Sequence, residues 1–242
     1  MKRIHLLVLL SVLALPFAAA SASGSGAGTL VVAEVFAAGG NSGAAYANDY
    51  VELFNRGAAA VAVDGWTLQY ASAAGTTWQA TALSGTIPAG GRYLVQLASG
   101  GVNGAGLPTP DATGTSNLAV TGGKVALVDT ATALSCGTSP GSCSAVSTVE
   151  DLIGYGGAAD YEGSGAAPAP SATTALARAG NGCTDTDNNA SDFATAAPAP
   201  LNSSAPAAPC SAPRRLRPER AGRPGSTSTC SRSSRSPSTT RR

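Results

Sequence analysis

The sequence predicts an all-β fold, a sandwich or a barrel. Three observations carry that expectation. Short runs of alternating apolar and polar residues recur between residues 29 and 155. Gly, Pro, Asn and Asp separate them. No window of comparable length shows an apolar stripe at helical spacing with caps. Repeated short strands with turn signals between them fit two packed sheets or a closed one.

The first run is TLVVAEVFA (29–37), rich in β-branched residues. DYVELFN (49–55) alternates and ends in Asn55-Arg56-Gly57, a turn sequence. AVAV (60–63) is brief. WTLQYAS (66–72) and TWQATAL (77–83) follow, each opening near a Trp. TIPAGGRYLV is a turn leading into a strand. Pro88 presets the turn, and Gly90-Gly91 permit positive φ before RYLVQLA (92–98) begins. KVALVDT (124–130) and TVEDLIGY (148–155) complete the set.

Other segments read differently. Residues 1–22 combine a basic start (Lys2, Arg3), an apolar run from Leu6 to Phe17 and an Ala20-Ser21-Ala22 ending. This is the pattern of a secretory signal peptide. No later stretch approaches the ~20 apolar residues a membrane span needs. The expectation is a secreted, extracellular chain with no transmembrane anchor. Residues 23–28 read as a flexible leader, and the folded body as 29–197. Within it, 100–117 reads as a loop or inserted arm and 163–174 as a Pro/Ala/Ser connector. Residues 198–210 read as a Pro/Ala linker. Residues 211–242, rich in Arg, Ser and Pro with almost nothing to bury, read as a disordered tail.

The formal charge of +1 averages two unlike parts. From Ser23 to Cys210 there are four basic residues against thirteen acidic ones. From Ser211 onward there are nine Arg and a single Glu219. The acidic body repels nucleic acid, and the tail attracts it. Five cysteines in an exported chain point to disulfides. Cys136 and Cys143 flank the turn-forming GTSPGS and form one candidate pair. Cys183 and Cys210 bracket the end of the body and form the second. Cys230 is left over.

Much catalytic chemistry is excluded. His5 is the only histidine and lies in the signal peptide. The mature chain therefore has no Ser-His-Asp or Cys-His apparatus and no His-ligated zinc. GTSPG (137–141) matches G-x-S-x-G, but the motif needs a strand–turn–helix elbow and a downstream His. Lys124, in a strand, reads as a solvated surface charge. Carboxylates are the remaining option. Glu34 and Glu52 fall on neighbouring strands, while adjacent Glu150 and Asp151 point to opposite faces of one. Glycoside hydrolysis would need two carboxyls across a cleft lined by aromatics, and aromatics are few here. No catalytic residue and no organic cofactor is expected.

CTDTDNNASDF (183–193) is the most polar stretch of the body. Asp185, Asp187, Asn189 and Asp192 offer hard oxygen ligands of the kind Ca²⁺ takes. The spacing copies the start of an EF-hand loop and then fails. Ala190 stands where Gly is needed, and Ala196 where Glu is needed. Two readings stay open, a Ca²⁺ site and an Asx-rich turn that caps its own backbone.

LVVAEVFAAGG, DYVELFNRG (Asp49–Gly57), Gly65-Trp66, TIPAGGRYLV and KVALVDT together resemble the lamin-tail domain family. The close also resembles its bacterial secreted branch, through Asp192-Phe193, Pro200 and Asn202. The resemblance runs over residues 29–205. It implies an immunoglobulin-like β-sandwich with Trp66 filling the core. It also implies structural roles for Glu34, Glu52, Asn55, Gly57 and Gly65.

The implied function is a non-catalytic binding or positioning module. It would be the accessory N-terminal part of a secreted nuclease or phosphatase lacking its enzyme domain. A free-standing cell-surface or adhesion protein, stabilised by Ca²⁺, is the alternative, with a protein or cell-surface ligand as partner. A third reading makes the Arg-rich tail a nucleic-acid-binding arm. That tail is equally the composition GC-rich DNA encodes out of frame, so it binds nucleic acid only if it is authentic.

Overall fold

The computed structural model describes residues 28–210 of the 242-residue chain. The expected signal peptide, the leader up to residue 27, the expected tail and Cys230 lie outside the described residues.

The described chain is built from β1 (Leu30–Phe36), β2 (Tyr50–Asn55), β3 (Val61–Ala62), β4 (Thr67–Ser72), β5 (Gln79–Ala82), β6 (Thr86–Ile87), β7 (Arg92–Gln96), β8 (Ala112–Thr113), β9 (Gly122–Val128), β10 (Val149–Gly156), β11 (Ala175–Arg178) and β12 (Phe193–Ala196). One sheet has the order β12-β11-β1-β2-β7-β8 and a second the order β10-β9-β4-β5. The short pair β3-β6 stands apart. All pairings are antiparallel except β7 with β8. Helical structure among the described residues is confined to a 3-10 turn at Ala179–Gly182 and one α turn, α1, at Asn189–Asp192.

The inner faces meet in one core. Val32, Val35, Val51, Leu53 and Val95 come from the six-stranded sheet, and Leu68, Tyr70, Val125, Leu127 and Ile153 from the four-stranded one. This is an immunoglobulin-like sandwich. Antiparallel sheets commonly leave one face in water. Here the outer faces are covered too, which is why β1, β2 and β9 are buried along their whole length. On the six-stranded sheet, Phe36, Tyr50 and Leu94 pack under Ala44, Tyr46 and Leu107. On the four-stranded sheet, Trp78, Ala126, Val128 and Leu152 pack under Leu134, Cys136 and Val146.

That second cover corrects two expectations. Lys124 is fully buried rather than solvated. Its Nζ donates to the carbonyls of Gly75 and Gly137, each at 2.6 Å, and lies 5.7 Å from the centre of the Trp78 ring. The loop closed by the Cys136–Cys143 disulfide brings Gly137 over the sheet. Trp66 does not fill the core. It is half-buried and packs against the core's edge, while Trp78 is 5% exposed and donates to the Cys136 carbonyl at 3.0 Å.

The 198–210 segment is not a free linker either. It folds back over the six-stranded sheet and ends in a disulfide from Cys210 to Cys183. The 100–117 arm contributes β8, and the 163–174 connector bridges to β10 through Ala167 and Tyr155.

Candidate functional site

The outer face of the six-stranded sheet carries the chain's acid pair. Glu34 and Glu52 are register partners on β1 and β2, and Leu94 of β7 follows in the same row. Residues opposite one another in a ladder point to one face, so the two carboxyls are neighbours. Glu34 accepts the Tyr50 hydroxyl and the Ala199 N–H, the latter at 2.9 Å. Glu52 accepts Arg92 Nη1 at 2.5 Å and the Leu201 N–H at 2.7 Å. Arg92 also donates to the Asn181 carbonyl and stacks 4.1 Å above Phe54. Nearby, Asp111 accepts the N–H groups of Leu94 (2.7 Å) and Ser203 (3.0 Å). No cleft separates Glu34 from Glu52, as glycoside hydrolysis would require. Both are occupied in holding β1, β2 and residues 199–201 together.

A second acid cluster surrounds Arg178, whose side chain is completely buried. Its guanidinium meets both oxygens of Asp151 at 2.6–2.8 Å and Asp185 at 2.8 Å. Its Nε donates to the Val32 carbonyl at 2.8 Å, and the group stacks 4.5 Å above Phe193. Asp185 takes a second cation, Arg56, at 2.8 Å. The bulge that brings Asp151 rather than Glu150 into the β9 register aims it at this cluster. Glu150 instead accepts the Thr29 N–H at 3.1 Å.

The four oxygen-bearing residues of 185–192 therefore serve separate partners. Asp185 is an ion-pair partner of two arginines. Asp192 accepts the N–H groups of Thr186 and Asn188 and the Thr186 hydroxyl. Asn189 is fully buried and acts as a strand partner for the edge of β10. Its Nδ2 donates to the Leu152 carbonyl at 2.9 Å and its Oδ1 accepts the Gly154 N–H at 2.8 Å. An edge strand needs such a partner to block further pairing. Asp187, in the left-handed region at φ 52°, faces elsewhere. It lines a cavity of about 170 Å³ together with Glu150 and Glu162. Among the described residues, no group of three or more His, Cys, Asp or Glu side chains is arranged to hold a metal ion. Asp192 follows the Asx-turn reading by capping Thr186 and Asn188, whereas Asp185 and Asn189 bind distant parts of the fold. On the turn reading, millimolar Ca²⁺ leaves the melting temperature unchanged; a clear rise would establish the Ca²⁺ reading.

The turn after β2 is held by Asn55. Asn55 Oδ1 accepts the Gly57 N–H at 3.0 Å, and Asn55 Nδ2 donates to the Ala59 and Ile87 carbonyls at 2.8 Å. A side chain at Gly57 would run into Thr29. Gly65 has φ 82°, a conformation glycine adopts without strain.

Burial sets the electrostatics. It raises Asp49 to about 6 and Glu52 to about 7, from ordinary values of 3.8 and 4.5. Burial, with repulsion from Asp151, Asp185 and Asp187, raises Glu162 to about 9. Between roughly pH 5 and 8 the folded chain therefore holds more protons than the unfolded one, so stability falls as pH rises. The contribution is fully present below the unfolded values near 4 and is lost as pH passes the folded ones. Asp192 is shifted the other way, because hydrogen bonds from Thr186 and Asn188 overcome its burial. With Glu34, Asp151 and Asp187 also raised, six raised carboxyls outweigh the one lowered. We expect a higher melting temperature at pH 5 than at pH 8; the opposite order would show that these acids are ionised without penalty.

An immunoglobulin-like sandwich whose buried acids are used as internal fasteners is the class of protein that fold and site define. The family model described as Lamin Tail Domain matches residues 23–139. That match supports the resemblance drawn from the strand and turn motifs. Residues 140–205, which the resemblance also covered, lie outside it. A search of curated proteins finds no match to the chain.

Proposed function

We propose that this chain is an exported, lamin-tail-type binding or positioning module without catalytic apparatus of its own. In this reading it is the accessory N-terminal part of a secreted nuclease or phosphatase. The observation that carries the reading is the fate of the acids. Glu34, Glu52, Asp151 and Asp185 are the carboxylates that the fold gathers around its buried arginines and the strap. Each is engaged by an arginine, a backbone N–H or a tyrosine hydroxyl inside the fold. Export is supported by the residue pattern of 1–22 and by two disulfides, which persist in oxidising compartments. No helix among the described residues is long and apolar enough to cross a membrane.

The test is to sequence the gene for several hundred bases beyond the Cys210 codon, reading all frames. The accessory reading predicts a second frame, starting near that codon, that runs into a domain with His and carboxylate motifs. Absence of such a frame overturns it. The chain would then be a stand-alone binder with an authentic basic tail, whose nucleic-acid affinity should fall steeply with salt.

A further inference from the structure

Residues 199–210 are held by alternate backbone donors. The N–H groups of Ala199, Leu201 and Ser203 go to the carboxylates of Glu34, Glu52 and Asp111. That two-residue spacing is the period of an extended chain, whose successive groups face opposite sides. Pro200 occupies the position between the first two donors and Pro198 precedes the first, places where a missing N–H costs nothing. Pro200 is buried against the sheet. The segment turns at Asn202–Ala205, where the Ala205 N–H bonds the Asn202 carbonyl at 3.0 Å. It returns to the Gly90 carbonyl through the Ala208 N–H at 2.8 Å. Gly90 must lack a side chain, since a Cβ there would sit 2.5 Å from Pro209. The half-buried Cys183–Cys210 bond then closes the strap. Apart from Pro200, the strap is half-buried or exposed, so little burial resists its release.

We propose that the outer face of the six-stranded sheet is a groove for an extended, proline-interrupted peptide. In this proposal residues 198–210 are its resident occupant, and opening the Cys183–Cys210 bond lets the groove take the same segment of a second copy. The second copy is the fitting occupant because it offers the same donors to the same three carboxylates and the same cysteine to Cys183. Exchange of an identical element keeps every contact and is a low-cost route to a dimer. An external dithiol supplies the reducing step. Its first thiolate attacks one sulfur and releases the other cysteine, and its second thiolate displaces the remaining sulfur from the mixed disulfide. Two electrons and two protons pass to Cys183 and Cys210, and the reductant leaves as a cyclic disulfide. A low-molecular-weight disulfide then reoxidises the pair by thiol–disulfide exchange, taking up two electrons and two protons as two thiols, and joins Cys183 of one copy to Cys210 of the other. The inference does not depend on the accessory-module reading.

The experiment uses the full chain with Cys230→Ser, to remove the fifth cysteine from the exchange. Equal amounts of ¹⁵N-labelled and unlabelled protein are mixed, treated with dithiothreitol and reoxidised at several concentrations. Linked peptides are then weighed. The expected result is Cys183–Cys210 peptides of mixed label, rising with concentration, with Cys136–Cys143 peptides remaining within one chain. Mixed-label peptides absent at every concentration would overturn the proposal. Equal mixing at both disulfides would also overturn it, since that is scrambling of an unfolded chain. Amide exchange on the reduced protein gives an independent reading. Exchange at Ala199, Leu201, Ser203 and Ala208 should speed up by about tenfold or more while β1 and β2 stay protected. Simultaneous loss of protection in the sheet would show that the strap is not a separable unit.

Discussion

Replacing Arg178 with Met should lower the stability of the chain by about 3–5 kcal/mol, the usual result of breaking a buried ion pair. The size follows from what the substitution strands. Asp151 is 3% exposed and depends on Arg178 for two of its three bonds, the third coming from the Val32 N–H. Val32, at the irregular register of β1, also loses the side-chain donor on its carbonyl. Asp185 keeps Arg56, so the loss concentrates on Asp151. A domain's whole stability is about 5–15 kcal/mol, so urea unfolding should move far toward lower denaturant. A companion Asp151→Leu substitution should recover part of the loss, because the cost lies in the uncompensated charge. A shift below about 1 kcal/mol would show that water reaches this cluster.

Trp78→Ala should cost about 3–5 kcal/mol, the range for truncating a buried Trp. Trp66→Ala should cost about 1–2 kcal/mol, in proportion to a half-buried ring. Trp78 joins the four-stranded sheet to the disulfide loop above it, through its packing and its bond to the Cys136 carbonyl. Its loss also bares the ring side of the buried Lys124 ammonium, whose pKa burial already lowers. Thermal or urea unfolding of the two variants orders them. If Trp66→Ala proved the more damaging, Trp66 would be the core residue that the sequence resemblance implied.

The contrast between the two Trp residues shows what the sequence made legible. Alternation located β1, β2, β4, β7, β9 and β10 because each carries β-branched or aromatic residues between turn signals. It missed β11 (ALAR) and β12 (FATA), whose small residues carry little strand preference. Those strands form by pairing with β1 and with each other, which only the folded chain supplies.

Lys124 was misread for a related reason. A charged residue on the alternate face of a strand is read as facing water, and the loop that covers it lies 13 residues away in the chain. The strap was misread from composition, since Pro and Ala carry no side-chain signal for binding a sheet. Its acceptors, Glu34 and Glu52, lie 165 and 149 residues away from the donors they hold. One signal was available. A Cys183–Cys210 pair already requires residues 198–210 to return to the body. The scarcity of cations was another. The body has only four, and Arg56, Arg92, Lys124 and Arg178 all end in ion pairs or carbonyl bonds within the fold.

The central claim is that the paired acids of the outer face are fasteners rather than catalysts. Glu52→Gln tests it most directly, measured at pH 8, where the wild-type carboxyl is ionised. The account predicts a lower melting temperature, because Gln offers one acceptor oxygen where Arg92 and the Leu201 N–H each use one, and no change in hydrolysis of phosphodiester or phosphomonoester substrates. An unchanged melting temperature together with loss of a hydrolytic activity present in the wild type would contradict it.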